Sequence, residues 1–177
     1  DTNFGMYPRD RTICEALIGS QKEHGWPRHI MSTTGKNNKE AILAAIDVLG
    51  GAMSMTNSVQ SMDSQVLTNI KRSNIKLETY ATVLQEVKAR NVQSYAEVII
   101  GLPGESKESF FRGVCQLLDS GIHRVCCYQL MLLEGTEMCS KATRQRYGFK
   151  AKFRMLSRDL GVYAGEPVFE LEEVVVE

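Results

Sequence analysis

Neither sign of charge is in excess in this sequence: 21 lysines and arginines face 21 aspartates and glutamates in 177 residues, a formal net charge of zero. Such a balance leaves no basic footprint for nucleic acid and no cationic face for an anionic membrane. No apolar run approaches the ~20 residues of a membrane-spanning helix, and no signal peptide opens the chain. The sequence therefore reads as that of a soluble, cytoplasmic protein. Cysteine is sparse and irregular, with five residues at 14, 115, 126, 127 and 139 and no C-x-x-C. An odd, unspaced set is no secreted disulfide framework, and His24, His29 and His123 add no zinc-like spacing, so no metal site is read. Internal repeats and low-complexity segments are lacking too. There is no initiator methionine, and the polar, turn-like Asp1-Thr2-Asn3-Phe4-Gly5 reads as an excised piece whose preceding strand has been cut away. A full (β/α)8 barrel usually needs ~250 residues, so this length implies one domain and less than a whole barrel.

What is present is punctuated most clearly at Glu97-Val98-Ile99-Ile100-Gly101-Leu102-Pro103-Gly104-Glu105-Ser106. An apolar run ends in a glycine-bounded turn, and the helical spacing of Phe110, Val114, Leu117 and Leu118 follows. This is the strand-loop-helix half of a βαβ unit, with backbone amides at the carboxyl end of a strand, where open α/β sheets and barrels place ligands.

The rest alternates in the same way. Pro8 stands where a helix begins, Ile13, Ala16, Leu17 and Ser20 line one face, and Gly25 stops it. A short strand is expected over His29 to Thr33, then a turn whose asparagines, Asn37 and Asn38, can cap a helix carrying Ile42, Leu43, Ile46 and Leu49. Met53 to Val59 is the second strand, Asp63 starts another helix, and a longer helix is expected from about Leu77 to Arg90. Tyr95 to Ile100 and a buried Val125 to Met131 complete four strands. Within the last, only one of the neighbours Cys126 and Cys127 can face the core. Alternating strands and helices imply a parallel sheet. The tail differs: Lys150 to Leu156 and Val168 to Val176 are β-branched and aromatic, joined through Gly161 to Pro167, which predicts an antiparallel hairpin.

A second polar cluster, Ser58-Val59-Gln60-Ser61-Met62-Asp63, lies where the Met53 to Val59 strand ends. Arg72 follows after Val66, Leu67 and Ile70. A helix from Asp63 carries Arg72 away along its axis at about 1.5 Å per residue, so only the fold can bring its guanidinium back toward Gln60.

Taken together, Gln60 in Ser-Val-Gln-Ser, Asp63, Val66-Leu67, Arg72 and the Glu97-x-x-x-Gly101-Leu102-Pro103-Gly104-Glu105 segment resemble the carboxyl-terminal two thirds of a radical S-adenosylmethionine (SAM) domain. The resemblance is to the cobalamin-binding branch, including enzymes similar to anaerobic magnesium-protoporphyrin monomethyl ester cyclase, and to oxygen-independent coproporphyrinogen oxidases. It covers residues 1 to about 138, with Asp1-Thr2-Asn3-Phe4 similar to an Asp-Asp-x-Phe element. It implies that Ser58 and Gln60 belong to the SAM site, with Gln60 at the ribose, and that Glu97 reaches the ribose hydroxyls. Arg72 would pair with the methionyl carboxylate, and Gly101, Leu102, Pro103 and Gly104 would pass beside the adenine. Gln129 would share the rim with Gln60, Glu97 and Gly101, and the Gln60 and Glu97 side chains would point into one cleft.

The chain departs from that family in lacking the cluster-binding C-x-x-x-C-x-x-C, and its five cysteines cannot replace three closely placed thiolates. Ser32-Thr33-Thr34 stands where some members carry an acidic residue. The resulting expectation is an α/β fold, a partial (β/α) TIM-type barrel over 1–148 that lacks the cluster-binding segment, plus an antiparallel β-hairpin over 149–177. Its function would be the SAM-binding portion of a radical SAM iron-sulfur enzyme, with SAM and a 4Fe-4S cluster in the parent protein and cobalamin as a further cofactor. The catalytic residues are not readable, and the segment alone is expected to be inactive. Its partner would be a small-molecule substrate, and an exposed sheet edge beside Asp1 is expected to pair two copies. The alternative is a non-catalytic α/β module that cradles a nucleotide or phosphate at Gly101 to Ser106.

Overall fold

In the computed structural model, side-chain hydrogen bonds to backbone N–H groups mark the start of most of the described helices. The structure describes residues 3–35, 38–73, 84–156 and 161–177. Helix α1 (Pro8–His24) has proline at its first turn, and the Asp10 carboxylate accepts from the backbone N–H groups of Gly5 at 2.9 Å and Tyr7 at 3.0 Å. It stops at Gly25, whose φ of 66° is the left-handed conformation that ends helices. The face expected to be buried is rotated: Cys14 is fully buried, whereas Ile13 is exposed. Helix α2 (Lys39–Val48) follows Asn38, which occupies the capping position without a side-chain cap; its amide donates to the Met6 carbonyl instead. Asn37 lies outside the described residues.

Strand β1 (Met55–Gln60) leads to a short helix α3 (Ser64–Asn69), capped by Asp63, whose carboxylate accepts from the N–H groups of Gln65 and Val66. Most of the helix expected from Leu77 lies outside the described residues, and a helical stretch over 84–89, here α4, is seen. Strand β2 (Ser94–Ile100), helix α5 (Lys107–Asp119) and strand β3 (Arg124–Gln129) follow.

The three strands form one parallel sheet in the order β1-β2-β3. Parallel neighbours need long crossovers, and the segments containing α3, α4 and α5 provide them. The strand expected over His29 to Thr33 is reduced to isolated parallel bridges, Ile30 with Met53 and Phe4 with Thr34. Strand β3 is likewise not the buried strand expected. It lies at an edge of the sheet, half-buried or exposed along its length, with Cys126 partly covered and Cys127 exposed.

Alternation along the strands separates two faces. Val59, Ala96 and Val98 pack with Leu117 of α5 and Ile122 in one buried cluster, while Met53 and Met55 join Cys14, Ile42, Ile46 and Leu49 in another. The opposite face carries Thr56, Tyr95, Glu97, Cys126 and Tyr128 and has no helix against it among the described residues.

After helix α6 (Lys141–Tyr147), strands β4 (Ala151–Met155) and β7 (Leu171–Val175) pair antiparallel. Their connection carries its own ladder, β5 (Gly161–Tyr163) with β6 (Glu166–Val168). Strand β7 also reaches the main sheet. Its Val174 bridges Met131, and Val175 packs with Val66, Leu102, Leu130 and Leu132. Among the described residues, no helix is long and apolar enough to cross a membrane.

Candidate active site

The carboxyl ends of the three parallel strands converge on one rim, which brings Gln60, Gly101 and Gln129 to the same edge of the sheet. Glu97 sits inside that rim. It is in register with Ser58 across β1, and its Oε2 accepts from the Ser58 hydroxyl at 2.7 Å. The contact holds the carboxylate over the helix-free face, where it lines a cleft of about 470 Å³. The other walls are Met31 to Thr33, Ser54 and Thr56, Tyr95, and Arg124, Cys126 and Tyr128. A cleft of this size lies within the range of small-molecule sites.

Gln60 is not among these walls. The β1–β2 register slips between Ser58 and Gln60, which leaves Gln60 opposite Val98, buried and at a φ of 69°. The single cleft expected for Gln60 and Glu97 is therefore lined by Glu97 and Ser58's partner strand, with Gln60 set apart by the bulge. Strand bulges of this kind re-aim side chains at functional edges.

Arg72 is placed differently from the long helix foreseen. Helix α3 ends at Asn69, Lys71 turns the chain at a φ of 55°, and the Arg72 N–H donates back to the Leu67 carbonyl. The turn follows within two residues of the helix end, leaving Arg72 exposed just beyond a short helix.

The Gly101 to Gly104 loop is packed by the protein's own atoms. Gly101, at a φ of 87°, would place a Cβ 3.3 Å from Val175 Cγ1, and Gly104, at 78°, would place one 2.8 Å from the Asn69 amide. Leu102 and Pro103 are buried, and Asn69 donates to the Pro103 carbonyl at 2.9 Å. Just beyond the loop three amides are engaged: Glu105 N–H donates to the Leu102 carbonyl, Ser106 N–H to Ser109 Oγ and Ser109 N–H to Ser106 Oγ. Glu105 adds a carboxylate at the start of α5, hydrogen-bonded by the Ser61 hydroxyl at 2.5 Å. Burial pushes its carboxyl group up, partly offset by Ser61, with Asp63 raising it further. Engaged amides at Glu105 and Ser106 beside the Glu105 carboxylate are poor phosphate recognition, which disfavours the phosphate-cradle alternative at that end of the loop.

Three groups went unforeseen: the Ser58–Glu97 bond, the Ser61–Glu105 bond, and the Arg124, Cys126 and Tyr128 wall. Period-two alternation from Glu97 through its register partner Cys126 is the signal that could have found the wall, once strand pairing was known.

No group of three His, Cys, Asp or Glu among the described residues could hold a metal ion, and the cysteines are dispersed from the buried Cys14 to the exposed Cys115 and Cys127. These residues do not fit an iron-sulfur cluster.

The cleft lies beneath the carboxyl rim of a parallel α/β sheet, the end at which open α/β sheets place ligands. Sequence comparison makes the chain a homologue of a segment of radical SAM methyltransferases. It is 34% identical over 154 residues to the cobalamin-dependent radical SAM methyltransferase TokK of Streptomyces tokunonensis, covering 85% of this chain and 23% of that one. It is equally 34% identical to 2-(S-pantetheinyl)-carbapenam-3-carboxylate methyltransferase of Streptantibioticus cattleyicolor, with the same coverage. The chain thus spans about a quarter of the length of these relatives. No family model matches it. Among solved structures, the radical SAM methyltransferase TsrM of Kitasatospora setae, with cobalamin and a [4Fe-4S] cluster bound, superposes with a TM-score of 0.62 at 12% identity. That match covers 99% of this chain and 39% of TsrM. The same enzyme with tryptophan and the SAM analogue aza-SAM gives 0.57 at 10% identity, over 93% of this chain and 36% of that one. At such identity the likeness is one of fold.

Proposed function

We propose that the chain is the SAM-binding portion of a radical SAM enzyme of the cobalamin-dependent methyltransferase kind, built as part of a (β/α) barrel over 1–148 with a C-terminal hairpin over 149–177. The observation that carries this reading is Glu97, held by Ser58 in a cleft beneath the carboxyl rim of a parallel sheet. In this reading Glu97 accepts hydrogen bonds from the ribose hydroxyls, and Ser58 fixes which carboxylate oxygen stays free to do so. Gln60 contributes at the rim, Arg72 offers two donors to the methionyl carboxylate, and Gly101 to Gly104 flank the adenine. SAM, if bound here, would be the source of the radical in an enzyme of this kind. The chain's own part is to bind, orient and shield. The cluster has no fitting ligand set among the described residues, so the chain alone should not cleave SAM. The substrate is a small molecule, with neither nucleic acid nor membrane as partner.

Adenosine tests the reading directly. Titration calorimetry should give saturable binding, weakened tenfold or more by Glu97→Ala, since a hydrogen bond to a charged group is worth about 1.5–3 kcal/mol. Ser58→Ala should weaken it less. Absence of binding, or indifference to Glu97→Ala, refutes the reading. A whole protein carrying this segment should also contain C-x-x-x-C-x-x-C ahead of it in the sequence.

A further inference from the structure

The helix-free face of the sheet carries a cation for which the described residues provide no partner. Arg124 opens β3 in register with Tyr95 and lines the cleft. Its guanidinium makes no hydrogen bond or ion pair among the described residues. Glu97 stands one strand across and one pleat along, ~8 Å away by ordinary strand spacing. Its carboxylate is already engaged by Ser58 on the other side. Arginine's planar fork of donors matches a carboxylate with two parallel hydrogen bonds. From Arg124 the same strand face continues through Cys126 to Tyr128, which is 54% exposed. A thiol and an aromatic ring make an apolar floor between the cation and the rim.

We propose that this cleft takes an extended organic acid, its carboxylate held by Arg124 and its apolar body lying along Cys126 and Tyr128 toward the rim. The claim rests on the proposed function only for what waits at the far end, where the nucleoside would sit. Four residues of strand separate Arg124 from Tyr128, ~13 Å at ~3.3 Å per residue, so an acetate-sized acid could not span the floor. Glu97 opposes a carboxylate, but Coulomb attraction falls with distance. Direct contact with Arg124 outweighs repulsion from the more distant Glu97, whose Oε2 already accepts from Ser58, at equal screening. Arg124 is thereby a specificity-determining residue for the charge of the substrate.

The test uses the 177-residue chain labelled with nitrogen-15 and titrated with 4-phenylbutyrate, against 4-phenylbutanol as its uncharged counterpart. The acid should shift the amide signals of Tyr95, Arg124, Cys126 and Tyr128 and bind at least about fivefold more tightly than the alcohol at low salt. Arg124→Met should abolish that preference and Arg124→Lys keep part of it; the side chain is exposed, so both variants should fold. Equal binding of acid and alcohol, or an undiminished preference in Arg124→Met, overturns the proposal. An adenosine titration of the same sample separates the two readings. Loss of any response at Gly101 and Gln60, with the acid response intact, refutes the nucleoside site and leaves the anchor standing. A normal adenosine response with no acid preference does the reverse.

Discussion

Glu105 shows how one side chain ties two strand ends together at a cost. Its Oε1 accepts from Ser61, which joins the loop after β1 to the loop after β2, but its Oε2 is buried with no hydrogen-bond partner among the described residues. Burial raises its pKa above the ordinary 4.5, with Asp63 adding to the shift and Ser61 reducing it. A carboxyl group whose folded pKa is raised contributes stability below its unfolded pKa and loses it as pH rises through the folded value. Glu105→Gln keeps the acceptor for Ser61 and removes the charge, so it should be the more stable protein at neutral pH. Its advantage in melting temperature should shrink toward pH 4. A constant difference between pH 4 and 8 would contradict this. Gly101 makes the complementary point about backbone. Alanine there combines a φ of 87° with a 3.3 Å approach to Val175, and should cost about 2 kcal/mol in urea unfolding. Val175→Ala removes the crowding but not the backbone strain, so the two substitutions together should cost less than their sum; strict additivity would mean that Val175 does not crowd the loop.

Among the elements, those with a local signal were legible and those defined by pairing were not. Pro8 and Gly25 bounded α1, and Asp63 marked the start of α3, because caps and turn residues act on their own neighbours. The rotation of the α1 face, with Cys14 inward and Ile13 outward, depends on where α2 packs. The exposure of β3 depends on its being the sheet's edge, which its apolar composition cannot state. In the site, Glu97 and the Gly101 turn were readable as strand end and loop. The bulge that displaces Gln60 and the turn at Lys71 that ends α3 arise from pairing and tertiary fit.

The link from α6 to β7 is similarly nonlocal. Arg144 donates to both Glu173 oxygens, at 2.6 and 2.5 Å, and its Nε donates to the Cys139 carbonyl. Arg144 holds the Glu173 carboxyl below its ordinary 4.5. A lowered acid contributes stability above its unfolded pKa and loses it as pH falls through the folded value. Wild type should therefore exceed Glu173→Gln in melting temperature at pH 7, and the gap should close as pH drops below about 4.5. A gap that persists at pH 2.5 would assign the clamp's contribution to something other than charge.

For the whole molecule, the question is whether residues 149–177 are an appendage or part of the sheet that carries the site. The sequence changes character near residue 148, which suggests a boundary. Yet Leu132 N–H donates to the Glu173 carbonyl, Val175 N–H to the Leu130 carbonyl, and Gln129 Nε2 to the Val175 carbonyl. Arg154 donates to the same Gln129 side chain at 3.0 Å, so the rim residue is gripped by both strands of the hairpin. Removing the tail would uncover Leu102, Leu130 and Leu132, all buried at present, and expose unpaired backbone just beyond β3. Burying a leucine-sized side chain is worth about 1.5–3 kcal/mol, and small domains have about 5–15 kcal/mol in total, so losing several such contacts should leave little margin. A chain ending at Gly148 should be partly unfolded or associated at 25 °C, with copies pairing through the open sheet edge. Light scattering and far-ultraviolet circular dichroism together decide it. A monodisperse monomer of 1–148, with a melting temperature within a few degrees of the full chain, would make the hairpin a separate extension and free Gln129 of its grip.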